Sequence, residues 1–284
     1  MDDDDALPPH AARLERSAQR IATPTSGGRM AWRCWGEGQP VVLLHGGSGS
    51  WTHWLRTIEP LVARGRRVCV PDIPGFGDSD RVGPDADSCV EPVLQGLRTV
   101  AGPGPHEVVA FSFGSLVTVL LAADHPDAVS RALLVGAPVE PLARTGGVAL
   151  RSWRGLATVA ERDAAHRHNL AAIMIHDPAA IDAEAVRLQR LNAERDNMRE
   201  RRLVTTDIFQ RTLARVQCGF SSLYGEEDAL YRGHWPRIAG IWERFPRFGG
   251  QVIIPGAGHW VQYEGAGAFD AELARWLAMP RSPR

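Results

Sequence analysis

The 284-residue chain contains no lysine; all 32 of its cationic side chains are arginine. Abundant alanine accompanies them, a pairing that fits a GC-rich genome and bears on no mechanism. With 33 acidic residues the formal net charge is −1. No strongly basic run breaks that balance, so there is no electrostatic case for nucleic acid as a partner. Cysteine is scarce and scattered (Cys34, Cys69, Cys89, Cys218), with no C-x-x-C pair and no histidine at ligand spacing. That argues against a disulfide framework and a zinc site, and predicts reduced, buried thiols. No apolar run approaches the roughly 20 residues that span a bilayer. The opening MDDDDALPPH lacks the basic and apolar parts of a signal peptide and reads as a solvated tail, so the expected location is the cytoplasm and no membrane partner is expected.

What is present is ordinary for a soluble globular protein: 44% hydrophobic and 23% charged residues. The length suits one large α/β domain, or a domain with an insertion. Gly28 to Trp35 alternates like a half-buried strand, whereas Val41-Val-Leu-Leu44 is wholly apolar, as in a strand buried on both faces. Arg67 to Val70, Val108 to Phe111 and Ala132 to Val135 repeat that pattern with helical stretches between them. Strands alternating with helices predict a mostly parallel sheet covered by helices on both faces. From about 139 to 216 no strand is evident. Asn169 to Ile175 and Ile181 to Arg202 read as helices instead, the second with an apolar stripe of Ile181, Ala185, Leu188 and Leu191 and an otherwise water-facing charged surface. Two further strands are expected at Gly219 to Tyr224 and Gln251 to Ile254. The division expected is a tail and short N-terminal segment (1–22), a core (23–140 and 211–284) and a helical cap (141–210) inserted before the last two strands.

The chemistry-bearing residues fall at the ends of these strands. Ala110-Phe111-Ser112-Phe113-Gly114 runs directly from a buried strand into an apolar helix. This is the G-x-S-x-G nucleophile elbow with alanine in place of the first glycine. Small flanking residues permit a turn tight enough to hold the serine hydroxyl above the sheet, beside the first amides of the helix. His45-Gly46-Gly47 follows the strand at 41–44, where glycines let a backbone amide approach a bound carbonyl oxygen. Val70-Pro-Asp-Ile-Pro-Gly-Phe-Gly-Asp-Ser79 bends over the same end of the sheet. Tyr224-Gly-Glu-Glu-Asp228 places carboxylates after the penultimate strand, and Gly256-Ala-Gly-His259-Trp260 places a histidine after the last.

In these motifs and their order the chain resembles the α/β-hydrolase superfamily, over nearly its whole length from about Thr23. The resemblance implies Ser112 as nucleophile, His259 as general base and Asp228 as the residue orienting it. It also implies the backbone amides of Gly47 and Phe113 as an oxyanion hole, and a pocket touched by Ser48, Phe111 and Trp260. HGGSGSWTHW, PGFGDSD and GHWVQYE look most like the lidded serine esterases and the carbon–carbon bond hydrolases of that superfamily. Serine is a poor nucleophile at neutral pH without a base, histidine can accept and return its proton, and a carboxylate holds the imidazole tautomer. Such chemistry needs no metal or organic cofactor. A small-molecule substrate is implied; assembly is left open, a homodimer included.

Alternatives remain at several positions. Glu226 and Glu227 adjoin Asp228, and Glu140 follows the earlier strand where some branches carry their acid. His45 is expected to pin the oxyanion loop, and His53 either lines the pocket or packs. His166, His168 and His176 read as solvated or capping residues of the insertion rather than metal ligands. The carbon–carbon bond hydrolases usually carry asparagine just before the nucleophile, where this chain has Phe111. Aromatic residues on both sides of Ser112, with the cap arginines expected to face water, favour small uncharged esters as substrates. Ring-cleavage diketones are the alternative, and a ligand-binding sensor that kept the pocket is the alternative of another class.

Overall fold

The apolar runs read from the sequence become the inner strands of an eight-stranded sheet. The structure, a computed structural model, describes residues 6–141, 148–198 and 200–280. In chain order the strands are β1 (Gln19–Thr25), β2 (Gly28–Trp35), β3 (Gln39–Leu44), β4 (Arg66–Pro71), β5 (His106–Phe111), β6 (Val129–Val135), β7 (Gly219–Gly225) and β8 (Phe248–Ile254). They lie in the order β1-β2-β4-β3-β5-β6-β7-β8. The β1–β2 and β2–β4 pairs are antiparallel and every pair from β4 onward is parallel. This is the α/β-hydrolase fold expected, with the six parallel strands β4, β3, β5, β6, β7 and β8 all pointing their C-terminal ends the same way.

Alternation along each strand divides the core in two. Val108 and Ala110 of β5 join one apolar cluster, with residues of α3 (Val90–Val100), α4 (Phe113–Asp124) and α8 (Trp235–Trp242). Val109 and Phe111 join the other, with residues of α1 (Pro9–Ser17), α2 (Leu55–Ala63) and α10 (Ala266–Ala278). Helices therefore cover both faces.

The chain departs from its sequence reading at the N-terminus. The division at 22/23 falls inside β1, and α1 buries Ala11 and Leu14 ahead of it. β1 escapes pattern recognition because it is an edge strand, mostly exposed, that tolerates Pro24 where a central strand would not. The acidic residues 2–5 of the expected tail, like 142–147 of the expected cap, lie outside the described residues.

Between β6 and β7 there is no strand among the described residues; helices α5 (Val159–Asn169), α6 (Ala183–Glu194) and α7 (Ile208–Leu213) occupy the insertion. The helix expected at 169–175 is the end of a longer one, α5 continuing through a π-helical turn at Leu170–Met174. The helix expected to reach Arg202 stops at Glu194. Its stripe of Ile181, Ala185, Leu188 and Leu191 is buried as expected. The charged face is not wholly in water: Arg190 is buried, its Nε donating to Asp163 Oδ1 of α5 at 2.8 Å. α7 straddles the expected 210/211 boundary and packs on α4, its Phe209 and Leu213 entering the sheet-side cluster.

Candidate active site

The turn from β5 into α4 forces Ser112 to φ +48° and ψ −111°, a conformation rarely adopted by a residue with a side chain. Gly114 makes the turn possible, since a Cβ there would meet the carbonyl oxygens of His45 and Leu44 at 2.6 Å. Ser112 itself is anchored, its amide donating to Val135 O at 2.8 Å. The hydroxyl is left half-buried at the floor of a cavity of about 570 Å³ between sheet and insertion.

Two further loops converge on it. His259 Nε2 lies 3.1 Å from Ser112 Oγ, and His259 Nδ1 lies 2.7 Å from Asp228 Oδ2. Asp228 is fully buried, and its other carboxylate oxygen accepts from the Leu230 amide at 3.0 Å. The spacing of Gly225 to Asp228 has a steric cause. Any side chain on Gly225 would collide with the carbonyl oxygens of Ala257 and Gly258, so glycine there lets the histidine loop pass against the end of β7. Glu227 N then donates to Ala257 O at 2.9 Å, locking the two loops together. Glu226 and Glu227 point elsewhere, and Glu140 is ion-paired with Arg237 of α8 at 2.6 Å.

The loop after β3 supplies Gly47 and Ser48, both half-buried and both lining the cavity. Phe113 opens α4, where the first amides have no acceptor within the helix. Gly47 and Phe113 thus border the same cavity as Ser112. His45 braces this loop from beneath: the Ile73 amide donates to its Nε2 at 2.8 Å, so Nδ1 carries the proton and bonds Gly46 O at 2.7 Å. Burial pushes its pKa down and keeps it neutral. His53 accepts from the Gly46 amide at 3.2 Å and is also held neutral, by burial first and by the neighbouring His45 and His259 rings. It packs rather than lines the cavity, in edge contact with Phe111 at 5.4 Å. Asp72 of the PDIPG stretch ties the loops together, accepting from the amides of Trp51 at 2.8 Å and Asp78 at 2.9 Å while pairing with buried Arg33.

Not every residue assigned to the pocket reaches it. Phe111 is buried behind the elbow because β5 alternation turns it into the α2 and α10 cluster, whereas Phe113, one helical position past Ser112, faces the cavity. Trp260 is also fully buried behind the histidine, donating its indole N–H to His53 O at 2.9 Å and stacking on Tyr263 at 4.2 Å. Sequence reasoning missed the contributions of the insertion. Arg201 folds back over the loop that follows β3, donating to Ser48 Oγ at 3.2 Å and to Asp196 Oδ2 at 2.7 Å. Its guanidinium packs against Gly47, where a Cβ would meet Nε at 3.3 Å. Arg151 and Arg154 stand exposed at the cavity rim, and His166 lines the cavity from α5. The expectation that the cap arginines face water holds for Arg151 and Arg154 and is corrected for Arg201, which is half-buried; all three arginines border the cavity. His168 and His176 stay at the exposed surface, and no cluster of metal-ligating side chains occurs among the described residues. No helix among those residues is long and apolar enough to cross a membrane.

Comparison with known proteins agrees with this geometry. A family model described as the alpha/beta hydrolase fold matches residues 39–176. A 2-hydroxy-6-oxo-6-phenylhexa-2,4-dienoate hydrolase of Burkholderia cepacia is 33% identical over 106 residues, a match that spans only 37% of that protein's length and 36% of this chain. A 2-hydroxy-6-oxononadienedioate/2-hydroxy-6-oxononatrienedioate hydrolase of Cupriavidus pinatubonensis is 29% identical over 272 residues, covering 84% of this chain and 86% of its own. Among solved structures, a thermophilic esterase from Thermogutta terrifontis superposes with a TM-score of 0.70 at 21% identity, covering 92% of this chain and 98% of its own. The parallel sheet, the strained serine at the β5–α4 turn and these likenesses carry one conclusion: the chain has the α/β-hydrolase fold.

Proposed function

We propose that the protein is a serine hydrolase that cleaves small, uncharged carboxylic esters through an acyl-enzyme. The observation that carries this is the continuous path from Asp228 Oδ2 through His259 to Ser112 Oγ, with contacts of 2.7 and 3.1 Å, at the floor of the cavity. Ser112 Oγ adds to the ester carbonyl as its proton passes to His259 Nε2. Asp228 holds the ring in the Nδ1–H tautomer and stabilises the imidazolium. The Gly47 and Phe113 amides take up charge on the carbonyl oxygen, each such donor being worth about 3 kcal/mol. Collapse breaks the ester C–O bond, the leaving oxygen takes the proton from His259, and water repeats the cycle to release the acid.

Uncharged esters suit the local charge. The Arg201 cation is offset by Asp196 at 2.7 Å, and Arg151 and Arg154 are in solvent, where an ion pair is worth little. A second reading is cleavage of a carbon–carbon bond in a ring-cleavage diketone bearing a carboxylate. The rim arginines and the activities by which the two relatives are named favour it; Phe111 in place of asparagine does not. An aspartate nucleophile, as dehalogenation in this superfamily requires, is absent at 112.

A fluorophosphonate probe tests the mechanism. A single adduct on the peptide containing Ser112 is expected by intact mass and peptide mapping. Label on Ser48, Ser79 or Ser115 with Ser112 unmodified refutes it. Substrate class is then read by kcat/KM across p-nitrophenyl esters, a dicarboxylic monoester and a vinylogous diketo acid. A tenfold advantage for the diketo acid, ~1.4 kcal/mol of transition-state preference, would replace the ester reading with the second.

A further inference from the structure

One side chain of the insertion has no structural reason to be polar. His166 lies on α5, is 1% exposed, and is one of only two side chains that helix buries, yet it borders the same cavity as Ser112. Neither Nδ1 nor Nε2 has a hydrogen-bond partner among the described residues. The Trp153 ring lies beside it, tilted at 35° with centroids 5.7 Å apart, and borders the cavity too. Arg190, which could have approached it, is turned to Asp163. Phenylalanine would fill comparable space without stranding two polar atoms, an arrangement that is costly in a protein interior. Burial, helped by the Arg190 and Arg162 cations and opposed by Asp163, pushes the imidazole pKa down to about 4. At neutral pH the ring is therefore uncharged and offers one donor and one acceptor.

We propose that His166 is a specificity-determining residue that receives a hydroxyl group on the part of the substrate reaching the insertion, with Trp153 as the adjoining apolar wall. A hydroxyl both donates and accepts, matching a neutral imidazole, whereas a methyl leaves the ring unpaired. This rests on the ester reading for the reaction, and on the cavity alone for the binding.

Binding is therefore measured apart from turnover, in the full chain carrying Ser112→Ala. The probes are the methyl esters of 3-(4-hydroxyphenyl)propanoic acid and 3-(4-methylphenyl)propanoic acid, which differ by one hydroxyl. Calorimetric titration should show the hydroxylated ester binding at least about tenfold more tightly, since a site built to pair a hydroxyl rejects the analogue without it. His166→Phe should abolish that preference, and His166→Asn, which keeps a donor and an acceptor, should restore part of it. His166→Phe should also raise Tm, because it removes an unpaired buried polar ring; a histidine kept for structure would lower it. Equal binding of the two esters, binding of neither, or a preference that survives His166→Phe overturns the proposal. If the hydroxyl preference holds while the intact chain cleaves neither ester, the assigned reaction fails and the hydroxyl site stands.

Discussion

Single residues set the geometry of this site, and those with a steric role were the ones legible in the sequence. Ser112, Gly114 and Gly225 announce themselves because only small or strained residues fit where the chain passes so close to itself. Asp228 follows from Gly225 by the length of one turn. The two phenylalanines beside Ser112 were harder to tell apart: one ends a strand and the other begins a helix, so their side chains diverge even though the letters are symmetric. Arg201 was not legible, since it reaches the loop from an aperiodic stretch 153 residues along the chain from Ser48. Removing the oriented carboxylate is the residue-scale test. Asp228→Asn should lower kcat by about 10⁴ with the fold retained, because the amide favours the wrong imidazole tautomer. Glu140→Gln, which disturbs only the pair with Arg237, should change kcat less than about threefold on the scale of a surface ion pair. A reversal of the two effects would move the acid to Glu140.

At the scale of elements, the apolar runs 41–44, 108–111 and 132–135 within β3, β5 and β6 could be read directly, because a strand buried on both faces has no other use for such a run. α5 could not be read from periodicity, its sequence VAERDAAHRHN being polar on most sides. Its one clear signal is the capping box of Thr158 and Glu161, the Glu161 amide donating to Thr158 Oγ1 at 3.2 Å and Glu161 Oε2 accepting from the Thr158 amide at 2.9 Å. What sequence does not display is how the insertion is fastened. Glu264, after the short helix α9 (Val261–Glu264) has begun, accepts from the amides of His176 at 3.0 Å, Asp177 at 2.6 Å and Gly258 at 2.7 Å. Trp260 N adds a bond to Met174 O at 2.7 Å. One carboxylate thereby joins the insertion to the loop that carries His259. Glu264→Gln, losing charge-assisted acceptance at three amides, should cost about 2 kcal/mol of stability and lower kcat/KM together. Differential scanning calorimetry with steady-state kinetics checks this; loss of stability with kcat/KM unchanged would separate the tether from the histidine.

For the whole molecule, four buried histidines impose a pH limit. His45, His53, His106 and His166 all have pKa values lowered chiefly by burial, the last to about 4. Their ordinary value in the unfolded chain is about 6.5. Below that pH the unfolded state binds protons that the folded state refuses, so stability is complete above about 6.5 and declines as pH falls toward 4. Tm measured in steps across that range should fall steadily, and His166→Phe should make the slope shallower; a flat profile would refute it. Asp78 and Glu107, held below the usual carboxylate range by their arginine partners, add a separate loss at still lower pH.

The fastening of the insertion also decides how molecules get in and out. Beside Glu264, the side chain of Asn192 bonds Ser50 and Thr52 at 2.8 and 3.0 Å, Arg56 holds Asp182 at 3.1 Å, and the Leu203 amide donates to Asp85 at 2.9 Å. A roof nailed at so many points does not swing. Among the described residues over the cavity, the coil bearing Leu150 to Arg154 is fastened to α5 by the pair of bonds between Asn169 and the Arg151 backbone and by His168 against Ala149 O at 3.1 Å. Traffic is expected to pass through a side window, with that coil as its shutter. In hydrogen exchange, 148–157 should open far sooner than 183–194, and bulky acids should depart at a rate the shutter sets.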